Sequence, residues 1–545
     1  MRDKTKAPDA PEPELKPANE NPWYVLMTLA GEQEGEEIDW ELHKKNAKLW
    51  NEYSGVVYGT SGVQRAIEHG LVFETDGQTG VTSRRILDGF PREWSKRHGP
   101  DAPIPKMPGR NDPANLSGTD FENLFSVSNM YFPSELNLKG SRFQKDALFS
   151  ECGFAKTVDL SGAEIAGGAD FTGSCFISDV HAENLKIGAN LHLDGAAVDG
   201  DLNMARVSVG GPAGLEKITV KGDALFDHGR FGQPCDFSGS KFGDRASFSS
   251  TVFEGSVKFI SSVFSDRCSF SLAKFFEGAN YSGSGFLGVA TFRAACFSSD
   301  ADFTTATFHD RVDFGEAVFQ GCSKNHTVES FSPARFASTD FKGPVDFSYA
   351  TFVSSYPDFS GAVMPEKTTF SATSKHWPAR TNQNSEQAKD CCATIRHILA
   401  KQGLPEDEHF FFRREMYFAG QIGSIWQRLP YLLFGLFSDY GYSMARPALW
   451  LAGLWAFGFA AFWGYLAGCC VPAPLEVVTR PMGSAMGLSF SNLFPLFGFG
   501  RVFFGAEFMA CLPPVLKLLA GFQTVASLPL LFFLGLGLRQ RFRLR

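Results

Sequence analysis

Large apolar residues recur between residues 237 and 319 at intervals of five, six, five and six, through Phe237, Phe242, Phe248, Phe253 and Phe259 to Phe314 and Phe319. This is an 11-residue repeat with two aromatics per unit. A helical period of about 3.6 and a strand period of about 2 are both excluded. A fixed period kept this long defines a solenoid. Upstream the same frame passes Phe231, Phe226, Val220, Met204, Leu193, Phe171, Phe149 and Phe132 and ends at Leu116. Of its 38 positions from 116 to 319, only Ala182 is not bulky and apolar.

A second rule accompanies the first. Two residues before most frame positions stands a small side chain, such as Cys235, Ser240, Ala246, Thr251, Ser262, Cys268 or Ala279. On extended backbone, residues two apart share a face. Each short strand therefore sends one small and one large residue inward, and Ser, Asp, Gly, Lys and Arg stay outside.

The units Ala114-Asn115-Leu116, Thr119-Asp120-Phe121 and Ala301-Asp302-Phe303 carry a resemblance to the pentapeptide-repeat family, whose unit is A(D/N)Lxx or A(D/N)Fxx. The resemblance spans 114–319 without a break and looser units to about 370. It implies a mainly β protein built on a right-handed, four-sided β-helix. With sides alternating five and six, two repeats close one coil. Phe237, Phe259, Tyr281 and Phe303 are then expected to stack, and Phe242, Phe264, Phe286 and Phe308 to stack beside them. Residues 116–319 give about nine coils, roughly 45 Å of rod at the spacing of neighbouring strands.

Composition narrows the function. Within 114–370 stand 31 acidic and 20 basic side chains, a balance of −11 that argues against a nucleic-acid groove. The eleven cysteines show no CxxC or Cys/His ligand spacing and read as reduced, buried thiols. No nucleophile elbow, phosphate loop or metal spacing is present, so the sequence predicts no catalytic residue, no metal and no cofactor.

The flanks differ from the rod. Residues 1–22 are rich in proline and charge and read as a disordered tail. Residues 23–113 read as a small α-helical cap with a proline-rich linker; a helix from about Trp40 to Tyr53 presents Trp40, His43, Ala47 and Trp50 on one face. A solenoid's end coil needs such a cover; His43 reads as a packed residue and not a ligand. The β-helix is expected over 114–372, with an insertion at 320–330, and a helical connector over 373–446.

The last segment, 447–545, reads as a two-helix transmembrane domain. Residues 447–471 carry no charge, and 514–538 form a second span broken by Pro529. Arg413, Arg414, Arg428 and Arg446 precede the first span; Arg539, Arg541, Arg543 and Arg545 follow the second. The loop between adds only the cations Arg480, Arg501 and, at its edge, Lys517. The positive-inside rule then puts both termini in the cytoplasm, with Arg446, Lys517, Arg539, Arg541 and Arg543 as anchors at the bilayer surface.

Between the spans, 484–500 is apolar, interrupted and too short to cross, as a re-entrant segment is. Gly498-Phe499-Gly500 looks like the end of the potassium filter signature TVGYG, although Leu496-Phe497 and Arg501 depart from it. Residues 405–545 resemble a bacterial, membrane-bound subgroup of pentapeptide-repeat proteins with a channel-like two-span C-terminus. Ser438-Asp439-Tyr440-Gly441, Arg446-Pro447 and the tail Leu538-Arg539-Gln540-Arg541-Phe542-Arg543 carry that likeness, which implies the bacterial inner membrane.

Three function classes follow. The first is a scaffold anchored in the lipid bilayer by its spans, whose rod binds a cytoplasmic protein partner along its flat, Ser- and Asp-rich sides. The second is a homo-oligomeric ion channel, since two spans enclose a pore only as a ring of chains; Ser489, Ser491, Asn492, Gly498, Phe499, Gly500, Gln523 and Thr524 would line it. The third is a DNA mimic that protects a topoisomerase, as some soluble members of the family are, and a membrane anchor speaks against it.

Overall fold

The computed structural model describes residues 15–35, 37–55, 61–75, 79–320, 333–379, 384–468 and 480–542. The chain divides into two compact units, Met1–Gln383 and Asn384–Arg545. In the first, strands of two or three residues pair in parallel and build four sheets of 12, 12, 10 and 9 strands. The pairs Cys235↔Val257 and Lys241↔Val263 each carry the expected step of two repeats. The unit is thus a four-sided β-helix of about eleven coils.

Its core is the set of columns that the frame requires. Phe237, Phe259, Tyr281 and Phe303 stack with centroids 4.7, 5.1 and 4.9 Å apart. Phe242, Phe264, Phe286 and Phe308 follow at 5.1, 4.9 and 4.5 Å. Neighbouring columns meet edge-on, as Phe237 meets Phe248 at 5.4 Å and 84°. Face stacking along the rod and edge contact across it are the two geometries that the ring quadrupole favours. Where the frame turns aliphatic, an apolar cavity of about 20 Å³ opens beside Ala182, Leu160, Leu193, Val198 and Met204. The undersized frame residue therefore borders a stretch where inward side chains leave room.

Local chemistry explains why the repeat tolerates so many corners. A positive φ recurs once per repeat, at Gly118, Asn129, Gly140, Glu151 and onward to Glu316. Each sits third in a four-residue turn, such as that closed by the Ser141 N–H on the Leu138 carbonyl at 3.1 Å. Left-handed backbone costs a non-glycine residue about 1–2 kcal/mol. Two repeat positions offset that cost. The Asp or Asn before the frame residue accepts the N–H two residues on: Asp236 from Ser238 at 2.9 Å, Asn280 from Ser282 at 2.8 Å, Asp302 from Thr304 at 2.9 Å. The small residue after the turn is often a hydroxyl that donates to the buried frame carbonyl one coil back: Ser141 to Leu116 at 2.7 Å, Ser240 to Leu215 at 2.8 Å, Thr251 to Phe226 at 2.8 Å, Ser262 to Phe237 at 2.7 Å. The small inward place is therefore chemical as well as steric.

Past Phe319 the register steps by three repeats instead of two, yet the columns continue: Phe303–Phe336 at 5.1 Å, Phe308–Phe341 at 5.1 Å, Phe314–Phe347 at 5.0 Å. One inserted repeat length leaves the core undisturbed. Beyond Gln320 the insertion itself lies outside the described residues.

Both ends of the rod are covered. Lys16–Pro17 adds a parallel strand to Thr119–Asp120, so part of the segment expected as a disordered tail is ordered; the free edge of the first coil supplies its partner. Helix Pro22–Met27 sets Tyr24 against Phe121 at 5.6 Å, and helix Trp40–Ser54 sets Trp50 against Phe132 at 5.1 Å. Polar side chains close the exposed backbone edge: the Trp50 indole donates to the Tyr131 carbonyl and the Asn51 amide to the Asn129 carbonyl, each at 2.9 Å. His43 donates from Nε2 to the Ser128 carbonyl at 2.9 Å and faces the Ser126 hydroxyl through Nδ1 at 3.2 Å; burial lowers its pKa, so it is a packed neutral ring. Phe73, from the loop after helix Ser61–Glu68, packs on Tyr131 and leaves no room for a Cβ at Gly153, where one would lie 2.7 Å from its ring. At the other end Trp377 stacks on Phe352 at 5.1 Å and on Tyr356 at 5.8 Å.

Cys152, Cys235 and Cys268 are free and buried, and burial pushes their thiols up and out of reactivity. Cys296, by contrast, is disulfide-bonded, which departs from the all-reduced expectation.

In the second unit, helices Ser385–Gln402 and Pro405–Ala419 form an antiparallel pair. Cys391, Cys392, Ile395 and Leu399 are buried on the first, and Arg396 pairs with Glu415 at 2.6 Å.

The columns generate a paired test. Among the described residues the Tyr281 hydroxyl is fully buried without a hydrogen-bond partner. Tyr281→Phe is expected to raise stability by about 1 kcal/mol, because an unsatisfied buried polar group is removed. Phe259→Ala is expected to lower it by about 3–5 kcal/mol through the cavity left in its column. Denaturant unfolding followed by circular dichroism measures both.

Candidate functional site

Three helices of the second unit carry the residues singled out for function: Ala445–Leu466, Pro481–Leu493 and Pro514–Phe542. The first and third are long and apolar enough to cross a membrane, and only 22% of the apolar window of each is buried. A soluble core helix of that composition would be mostly covered. Here Leu449, Phe457, Leu518, Phe522, Val525 and Phe532 stand exposed.

The middle helix is 13 residues long, roughly 20 Å at the helical rise, and too short to span. It packs against both long helices through two apolar clusters. Phe462, Leu466, Ala485, Leu488, Leu512 and Ala520 form one; Leu451, Leu493 and Leu530 form the other.

Between the clusters lies a polar node. The Gln523 amide donates to the Leu454 carbonyl at 2.9 Å and to the Ser489 hydroxyl at 2.8 Å. Ser489 in turn donates to the Trp455 carbonyl at 2.8 Å, and Asn492 donates to Gln523 Oε1 at 3.1 Å. Ser489 and Gln523 are fully buried. Gly458 makes the node possible, because a Cβ there would lie 1.9 Å from Gln523 Nε2 and 2.6 Å from Ser489 Oγ. A small residue that admits a polar neighbour is the packing device of helices in lipid.

Of the eight residues expected to line a pore, the fold thus gathers Ser489, Asn492 and Gln523 into one cluster within a single chain. Ser491 bonds the Leu488 carbonyl at 2.8 Å and Thr524 the Ala520 carbonyl at 3.0 Å, both within their own helices. Gly498 and Phe499 stand apart from that cluster, and Gly500 lies beside Ser491, where a Cβ would come 3.2 Å from the Ser491 hydroxyl. Gly498 takes a left-handed φ of 64° to end the 3₁₀ turn Pro495–Phe497, and Phe499 opens helix Phe499–Cys511. This backbone is a turn between helices and not the extended run of carbonyls that a potassium filter uses.

The basic residues expected at the bilayer surface also find partners. Arg446 donates to the Gly435 carbonyl at 2.8 Å and lies 3.4 Å from Asp439. Lys517 donates to the Ala510 carbonyl at 2.7 Å, at the end of helix Phe499–Cys511. Arg539 is exposed near the end of the last helix. The Arg541 side chain and Arg543 lie outside what is described.

On the rod, one side is hollowed where Gly214 stands between His192 and Asp236 of the neighbouring coils. The concavity of about 470 Å³ is rimmed by His192, Asp194, Glu216, Asp236 and Lys258. A Cβ at Gly214 would lie 2.5 Å from Asp194 Oδ2, so the hollow depends on that glycine.

The sequence offered no signal for Gly458 as the partner of Gln523, since the two stand on different helices far apart in the chain. Comparison of the chain with family models, curated proteins and solved structures returns no match. Fold and contacts carry the functional argument alone.

Gly458→Ala is expected to destabilise the three-helix packing by about 1–3 kcal/mol through overpacking. In a background that carries both Gln523→Ala and Ser489→Ala the same change is expected to cost less than about 0.5 kcal/mol, because both side chains that a Cβ would meet are gone. Thermal unfolding of the four proteins in detergent completes the cycle, and additive effects would refute the node.

Proposed function

We propose that this chain is a membrane-anchored repeat protein whose β-helix is a cytoplasmic scaffold for a protein partner. The observation that carries the reading is the pair of long apolar helices with most of their apolar windows uncovered while the polar groups between them are satisfied inside one chain. Such a surface is stable in hydrocarbon and costly in water. The outward positions of the rod are polar, its balance is acidic, and the hollow at Gly214 gives one side a shaped surface. Those features suit a partner with basic groups.

A homo-oligomeric channel is the second reading. It draws on Asn492, Gly498, Gly500 and Thr524, which are half-buried, and on the exposed Phe499. Potassium selectivity has less support, given the helical backbone on both sides of Gly498.

The test is reconstitution of the full chain into liposomes. The anchored-scaffold reading expects the chain to stay with the vesicles through an alkaline carbonate wash and to be monomeric in detergent, without ion flux. Loss of the chain in the wash overturns the anchor. Flux that Asn492→Leu with Gly498→Val abolishes replaces the scaffold with the channel.

A further inference from the structure

Helix Ile425–Ser438 belongs neither to the connector pair nor to the two spans, and it exposes a continuous apolar face. Ile425, Trp426, Leu429, Leu432, Leu433 and Leu436 are all exposed, the first two at 74% and 79%. At the helical turn of about 100° per residue they fill one arc of roughly 120°. Phe434 and Ser438 occupy the opposite side and face protein: Phe434 packs on Phe533 at 5.5 Å, and the Ser438 hydroxyl receives the Gly441 N–H at 3.0 Å. The helix is therefore amphipathic in an unusual sense. Its opposite side is occupied by protein toward the C-terminal end, at Phe434 and Ser438, and its free arc is the more apolar one.

Its position identifies what covers that side. Phe434 meets the last helix near its C-terminal end, and Phe437 meets Trp450 near the start of helix Ala445–Leu466 at 5.3 Å. The helix is thus fastened to the same end of both long apolar helices, where their charged flanks begin. Arg446 locks this junction through the Gly435 carbonyl, and Asp439 is neutralised by Arg413 at 3.2 Å and Arg446 at 3.4 Å. The segment 425–438 carries Arg428 and no acidic residue. Leu449 and Phe532 on the two long helices are exposed as well.

We infer that helix Ile425–Ser438 is a membrane-surface helix. It lies in the boundary between head groups and acyl chains of the bilayer, with Trp426 and the leucines in lipid and Arg428 among anionic head groups. The inference rests on the anchored reading above and extends it: the chain is held by a helix laid along the membrane as well as by the spans.

The test uses the full chain in vesicles of phosphatidylcholine and phosphatidylglycerol in equal parts. A benzophenone amino acid replaces Trp426, Leu433, Gln427 or Phe522 one at a time, and irradiated products are read by mass spectrometry. Lipid adducts are expected at 426, 433 and 522 and are expected to be lost at 427. Adducts at 522 without any at 426 and 433 overturn the surface helix while the anchor stands. A crosslink from 426 to a second copy of the chain also overturns it. Lipid adducts at none of the four positions overturn the anchored reading itself.

Discussion

Parallel stacking of identical coils imposes one condition on this chain: whatever points inward at one position must meet its like one coil on. A ring answers that condition well, because a ring stacks on a ring at the spacing of neighbouring strands. The observed centroid separations of 4.5–5.3 Å along the Phe and Tyr columns follow the strand spacing of about 4.8 Å closely. The backbone ladder and the side-chain ladder therefore reinforce each other. Corners, hydroxyl ladders and Asp turns follow from this condition, since every coil has to return the chain to the same place. The insertion after Phe319 obeys it too, by leaving the columns as they are.

The same condition makes ends a liability. A coil with no neighbour exposes rings and unpaired strand edges, and each end is closed by what the chain has nearby. At the N-terminus two helices, an added strand and the side chains of His43, Trp50 and Asn51 do this work. At the far end Tyr356 and Trp377 cover the last rings. In the second unit the logic reverses. Polar groups are gathered inside around Gln523, and apolar ones face outward on Ala445–Leu466, Pro514–Phe542 and Ile425–Ser438. One polypeptide thus contains a unit with its apolar residues inside and a unit with many of its apolar residues outside.

Much of the rod was legible in the sequence because its signal is periodic. Phe237, Phe259, Tyr281 and Phe303 stack where the spacing, taken with the four-sided coil that the resemblance implies, sets them. What periodicity does not carry was missed. Lys16–Pro17 is too short to have a period, and only the free edge of the first coil makes it a strand. The hydroxyls of Ser141 and Ser262 look like mere small residues until the carbonyl one coil back is seen. Helix Ile425–Ser438 falls within the helical connector expected over 373–446, but Pro430 and Arg428 hide its apolar arc. Of the candidate pore residues, types and general location were readable, but the convergence of Ser489, Asn492 and Gln523 on Gly458 depends on how three helices cross.

The two-repeat register is the claim on which the fold account rests, and cysteine pairing in the full chain tests it most directly. Replacing Lys241 and Val263 puts two cysteines on paired strands, within the Cα separation that a disulfide accepts. Under mild oxidation, peptide mapping is expected to find the 241–263 bond, and to find no bond when the second cysteine is moved to 261. A bond at 241–261 in preference to 241–263 would contradict the register and, with it, the columns that depend on it.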